Sequence, residues 1–153
     1  YMYDVLQGIS DHAKLQIVLN AVEKGSNPWG CTDYLNQKKK ILETGADVYE
    51  LMNDYPVHTK AVLIDNRLSV VGSYNLDMRS TYLDTELMLV IDSEKLSQQI
   101  HETESDYMEK SKEALANGQE TEGAKYQGKV LNWKKRLYYG VLRIIIRPLR
   151  QLL

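Results

Sequence analysis

An α/β domain followed by a basic amphipathic C-terminal helix is the architecture predicted for this 153-residue chain, and three observations predict it. Short apolar runs rich in β-branched residues alternate with stretches of helical periodicity up to about residue 116, the pattern of a layered α/β fold. The apolar fraction of 43% fills a core for one domain of this length and excludes wholesale disorder. The charge is segregated: residues 126–153 hold seven Lys/Arg and no acid, whereas residues 1–125 hold 12 basic and 21 acidic residues, net −9. The overall charge of −2 hides this polarity. The expected organisation is an α/β domain over 1–116, a polar linker over 117–128 and a basic amphipathic tail over 129–153.

The elements follow in order. Leu15-Gln16-Ile17-Val18-Leu19 reads as a buried strand. Residues 23–29, with Gly25, Ser26, Asn27 and Pro28, read as loop. Thr32 is placed to cap a helix carrying Leu35, Lys38, Ile41 and Leu42, and Gly45 to end it. A strand is predicted over Asp47–Leu51, and two more over Val57–Ile64 and Leu68–Ser73 around the turn Asp65-Asn66-Arg67. Another near Glu86–Ile91 leads into a long helix with Leu96, Ile100, Tyr107 and Leu115 on its inner stripe, closed by Asn117-Gly118. In the tail Trp133, Leu137, Val141, Ile144 and Ile145 recur at helical spacing, and Pro148 is expected to end that helix.

Several classes are excluded or disfavoured. One cysteine, Cys31, rules out an internal disulfide framework and a multi-thiolate zinc site. No run of 18 uncharged apolar residues predicts a conventional membrane span. Tyr1-Met2-Tyr3-Asp4 has neither the basic nor the apolar region of a signal peptide, and a chain beginning at Tyr1 is expected to be a fragment or processed product.

Chemistry concentrates between His58 and Glu86. On an extended chain His58 and Lys60 share a face. A histidine beside a fixed ammonium suits phosphate work, because the lysine holds a non-bridging oxygen while imidazole attacks phosphorus or moves a proton. Ser73 and Asn75, again two apart, bring a hydroxyl and an amide to the same oxygens, and Gly72 permits close backbone approach. Glu86 is positioned to orient an imidazole through its second N–H. Plainer readings stand beside these: Asp65 is a good turn residue, Arg79 binds an acidic head group or pairs with Asp77 or Asp84, and Asp77, Asp84 and Glu86 lack metal-ligand spacing.

The spacing His58-x-Lys60, then Asp65, Gly72-Ser73 and Asn75, resembles the HxKxxxxDxxxxxxGSxN signature of the phospholipase D superfamily, with Glu86 where that family places its acid. Seven fixed residues coincide by chance ~10⁻⁹ times per starting position. Asn75-Leu76-Asp77-Met78-Arg79-Ser80 and Leu83-Asp84-Thr85-Glu86-Leu87 look most like the bacterial cardiolipin synthase branch. The resemblance implies a layered sandwich with a mixed β-sheet flanked by helices. It also implies metal- and cofactor-independent transesterification with catalytic His58, Lys60, Asp65 and Glu86, phosphate-binding Lys60, Ser73 and Asn75, and supporting Gly72 and Arg79. Such enzymes use two copies of the motif, and neither His12 nor His101 has a lysine two residues on. The expected reading is therefore the C-terminal half of a phosphatidyltransferase. His58 would be its general acid/base, with the nucleophilic histidine on an N-terminal half of the same polypeptide or on a second subunit.

The expected partners are an anionic phospholipid substrate and a bacterial membrane surface, contacted through Trp133, Lys134, Lys135, Arg136, Arg143 and Arg147. The tail's alternative is packing against an absent domain. Two competing functions remain: a homodimeric hydrolase or nuclease, against which the acidic body argues, and a catalytically idle adaptor.

Overall fold

The computed structural model describes residues 2–115, 117–128 and 130–152, with nothing on the side chains of 151–152. Lys129, counted in the basic tail, lies outside the described residues. In chain order the elements are α1 (Met2–Ser10), β1 (Gln16–Asn20), α2 (Pro28–Glu43), β2 (Asp47–Leu51), β3 (Ala61–Ile64), β4 (Leu68–Gly72), α3 (Met78–Tyr82), β5 (Met88–Asp92), α4 (Glu94–Glu109), β6 (Ser111–Ala114), β7 (Glu120–Glu122) and α5 (Trp133–Ile145). A 3₁₀ segment, Arg147–Leu152, follows α5. The class is mixed α/β as expected, but the described strands form two sheets, β1-β2-β6-β7 and β3-β4-β5, instead of one. They belong to two compact units, Tyr1–Val57 with Tyr107–Arg147, and His58–Asp106 with Pro148–Leu153.

The first unit is built around a parallel β1–β2 pair joined through α2. Asn27 caps α2 through Oδ1, which accepts from the Trp29 and Gly30 amides at 3.1 and 3.3 Å, and Pro28 starts the helix where its missing N–H costs nothing. The helix thus begins four residues before Thr32, whose hydroxyl donates back to the Pro28 carbonyl at 2.6 Å. Gly45, at φ +85°, lets the chain leave the helix in the left-handed region. Ile41, Ala46 and Val48 form a buried core, with Tyr3, Leu15, Ile17, Leu19, Tyr34 and Leu42 packed on it.

The helix read through Leu115 ends at Glu109. No Gly or Pro stops it; instead β2 offers an open edge, and Ser111–Ala114 pairs there antiparallel, Ala114 facing Val48. Backbone pairing outweighs helical propensity. Asn117-Gly118 turns the β6–β7 hairpin, and the stretch read as a linker contains β7, paired to β6. Glu50 on β2 is buried among partners: its Oε1 accepts from Tyr34 and Lys38 at 2.8 and 2.9 Å, and Lys112 lies 3.3 Å from Oε2. Glu120 meets the same two lysines at 3.4 and 3.3 Å.

The second unit carries the antiparallel β3-β4-β5 sheet. Asp65 and Asn66, at φ 49° and 53°, supply the two positive-φ positions of a tight hairpin turn closed by Arg67 N–H on the Ile64 carbonyl at 3.1 Å. Arg67 then clamps Asp92 with two bonds of 2.8 Å. Helix α4 meets the sheet through the buried Ser69–Ser97 hydroxyl pair, 2.9 Å apart.

Candidate active site

Strand register assembles the site at one end of the three-stranded sheet. Ala61 faces Val71, and Gly72 faces Met88. One step beyond, the Gly72 N–H donates to the Lys60 carbonyl at 3.2 Å and the Ser73 N–H to the Leu87 carbonyl at 3.0 Å. The ladder thereby gathers Lys60, Ser73 and Glu86, which are distant in sequence. A Cβ at Gly72 would collide with the Leu87 carbonyl and Met88, so the close approach of β4 to β5 requires glycine here.

His58 and Lys60 lie in irregular chain just before β3. The Lys60 ammonium is 2.8 Å from His58 Nε2 and also reaches the His58 carbonyl at 3.2 Å. An ammonium has only donors, so in this contact Nε2 is the acceptor. His58 is exposed and Lys60 half-buried.

The Ser73 hydroxyl donates to Glu86 Oε2 and accepts from the Leu87 N–H at 3.0 Å. Bonds from the Ser73 and Ser80 hydroxyls hold the Glu86 carboxyl below its usual range. Lys60 and Arg79 act in the same direction, against the desolvation that would raise it. Glu86 therefore enters the cluster as a carboxylate that orders hydroxyls and faces Lys60, rather than through the imidazole N–H contact the sequence suggested.

Ser80 is the residue sequence reasoning missed. Buried at the centre of α3, its hydroxyl accepts from the Asn75 backbone N–H and amide Nδ2 at 3.2 and 3.4 Å, and it helps hold the Glu86 carboxyl below its usual range. Asp77 fixes its backbone by capping α3, with Oδ1 accepting from the Ser80 N–H at 2.7 Å. The signal was present in the sequence as an Asp–x–x–Ser start to a short turn of helix, but its meaning needs the burial.

Two expected residues stand elsewhere. Asp65 is five residues along β3 from Lys60, about 16 Å at ~3.3 Å per residue, and serves the hairpin turn. Arg79 pairs with Asp84, its Nε 2.9 Å from Oδ2, so its first role is local. Of the tail residues, Trp133, Lys134, Lys135, Arg136 and Arg147 are exposed. Arg143 is exposed as well, but its guanidinium is engaged, donating to Asn36 Oδ1 at 2.9 Å and the Leu35 carbonyl at 3.3 Å on neighbouring α2. Among the described residues no group of three or more His, Cys, Asp or Glu is placed to hold a metal ion, and no helix is long and apolar enough to cross a membrane.

An imidazole–lysine pair beside an ordered Ser–Asn–Glu cluster on an α/β frame is the arrangement of the phospholipase D superfamily. Within it, residues 5–107 match the family described as cardiolipin synthase, PLD-like domain, and the chain belongs to that family. Cardiolipin synthase A of Serratia proteamaculans is 33% identical over 111 residues, 72% of this chain and 21% of that protein. Cardiolipin synthase A of Proteus mirabilis is 43% identical over 72 residues, 47% of this chain and 15% of that one. The chain thus spans about a fifth or less of these relatives. A crystal structure of a phospholipase D family member, Nuc from Salmonella typhimurium, is similar at TM-score 0.49 and 15% identity, covering 72% of this chain and 88% of that one.

Proposed function

We propose that the chain is the C-terminal catalytic half of a cardiolipin synthase-like phosphatidyltransferase, moving a phosphatidyl group between phospholipids through a phosphohistidine on the other half. The observation that carries this reading is the placement of His58 Nε2 2.8 Å from the Lys60 ammonium.

In the first step the partner histidine attacks phosphorus and the bond to the leaving glycerol oxygen breaks. His58, protonated at Nε2, supplies that oxygen's proton. Protonation of Nε2 removes its lone pair from Lys60, so the ammonium is released to a non-bridging phosphate oxygen as charge builds there. In the second step neutral His58 takes the proton of the incoming lipid hydroxyl, whose oxygen displaces the histidine from phosphorus. The proton thus returns to His58, and Lys60 alternates between imidazole and phosphate. The Asn75 amide, which keeps one N–H beyond its bond to Ser80, is the neutral donor for a remaining oxygen, and Ser73 bound to Glu86 orders the carboxylate beside it.

The test is phosphatidyl transfer from labelled phosphatidylglycerol by the polypeptide that carries this chain. His58→Ala is expected to cut the rate at least about a thousandfold, combining loss of acid and base steps. Unchanged transfer overturns the reading. Mixing His58→Ala chain with a variant lacking the partner histidine separates the two architectures: restored activity means the second motif comes from another subunit, and no restoration means one polypeptide carries both.

A further inference from the structure

Helix α5 is apolar on two opposite faces, and only one is covered by the protein. The inner face is fixed to α2: Tyr139, Leu142 and Ile146 are buried, and Tyr139 lies beside the Cys31 thiol of that helix. Asn36 and Arg143 exchange hydrogen bonds, Asn36 Nδ2 donating to the Arg143 carbonyl at 3.1 Å and Arg143 Nε to Asn36 Oδ1 at 2.9 Å. This pins the helix about its axis. Trp133, Leu137, Val141 and Ile144, at i, i+4, i+8 and i+11, must then point away from α2. They are 68%, 63%, 52% and 71% exposed. At 3.6 residues per turn Lys134 borders this stripe on one side and Arg136 on the other, with Arg147 just past the helix end. All three are exposed.

We infer that the outer face of α5 is a docking surface for an anionic lipid bilayer, with Trp133, Leu137, Val141 and Ile144 entering the headgroup boundary and Lys134, Arg136 and Arg147 meeting lipid phosphates. The charge pattern selects this occupant. A self-pairing of two such stripes would bring the same cations face to face. An anionic bilayer supplies both partners the helix lacks, an apolar layer and a sheet of negative charge. The inference is independent of the catalytic reading, since binding needs no turnover.

The experiment is flotation of the full 153-residue chain with vesicles of phosphatidylcholine alone or mixed with phosphatidylglycerol. A Trp29→Phe background leaves Trp133 as the only tryptophan, excited selectively at the red edge of its absorption. The chain is expected to float with the anionic vesicles, with a blue shift of Trp133, and to stay behind with neutral ones. Lys134→Gln and Arg136→Gln should each weaken binding about fivefold. Leu137→Gln with Ile144→Gln, both already exposed and so compatible with folding, should remove it. Failure to float on anionic vesicles, equal binding to neutral ones, or binding indifferent to the Leu137/Ile144 pair each overturns the inference. So does a lipid-free dimer, seen by sedimentation, that those same substitutions dissociate, because a second copy would then be the occupant.

Discussion

Strands β2 and β5 are both five residues long and similarly apolar, yet β2 is buried from Val48 to Leu51 while Leu89 and Val90 of β5 are 59% and 65% exposed. The β2 sheet has α2 and a contiguous core against it. The β5 sheet is tied at chosen points by polar links, Ser69 to Ser97 and Arg67 to Asp92. The difference separates two jobs. Apolar burial holds the first unit, where no candidate catalytic residue lies. The ladder and a few hydrogen bonds hold the second, leaving its strand ends open for a charged substrate. The comparison predicts that damage to one region is read mainly in stability and damage to the other mainly in chemistry.

The largest expected effect is His58→Ala. A loss of a thousandfold or more in transfer rate corresponds to about 4 kcal/mol of barrier, while the exposed site predicts a stability change within ~0.5 kcal/mol. Chemical denaturation alongside the transfer assay checks both. A comparable loss of stability would put His58 in the framework and erase the contrast. The counterpart is Leu51→Ala in β2. Leu51 is 1% exposed, and truncation there should cost about 2–5 kcal/mol, whereas Leu89→Ala in β5 should stay near ~0.5 kcal/mol. Equal costs for the two leucines, from the same denaturation curves, would mean that β5 is covered in solution.

How far each region was legible follows the same division. The candidate cluster was readable because antiparallel neighbours keep His58, Lys60, Ser73, Asn75 and Glu86 within one short stretch of chain, at fixed spacings set by strand length and turns. The strands at Leu15–Leu19 and Asp47–Leu51 were readable from their apolar β-branched runs, and β2 coincides with the expectation. What was hidden depends on partners remote in sequence. Ser111–Ala114 is a strand only because β2 has a free edge, and Leu115 continued the helical spacing into it. Helix α1 went unread; Leu6 is its one buried residue. Thr32 looked like a cap but bonds backward within α2, since Asn27 and Pro28 had already started the helix. Asp65 belongs to the spacing of the motif, yet the strand between carries it to the far end of the sheet.

Ser80→Ala tests the cluster more gently. The substitution removes the acceptor of two Asn75 donors and the hydroxyl that helps hold the Glu86 carboxyl below its usual range. A misplaced phosphate-binding amide costs up to about a hundredfold. The fall should appear in kcat with KM nearly unchanged, and Ser80→Thr, which keeps the hydroxyl, should recover most of it. A loss confined to stability would make Ser80 a packing residue only.

The smallest effect lies in the ion network of the first unit and is read against pH. Burial disfavours charge on Glu120, but Lys112 and Lys38 outweigh it and leave its pKa below the ordinary 4.5. Burial likewise opposes the charge on Lys112, and Glu50 and Glu120 more than offset it, raising its pKa above 10.5. A carboxyl lowered on folding gives stability that is complete above pH 4.5 and is lost as pH falls through the folded value. An ammonium raised on folding gives stability that is complete below pH 10.5 and is lost as pH climbs through the folded value. The network therefore supports a plateau between these limits. Since Glu120 is 51% exposed and Lys112 30%, solvent screening keeps each contribution below about 1 kcal/mol. Thermal melts should show Glu120→Gln flattening the acid limb and Lys112→Met the alkaline limb, each leaving the other in place. Because the second unit holds neither residue, its exchange-protected β4 amides should follow neither substitution. If they do, the two regions melt as one and the division between scaffold and site is not a division in stability.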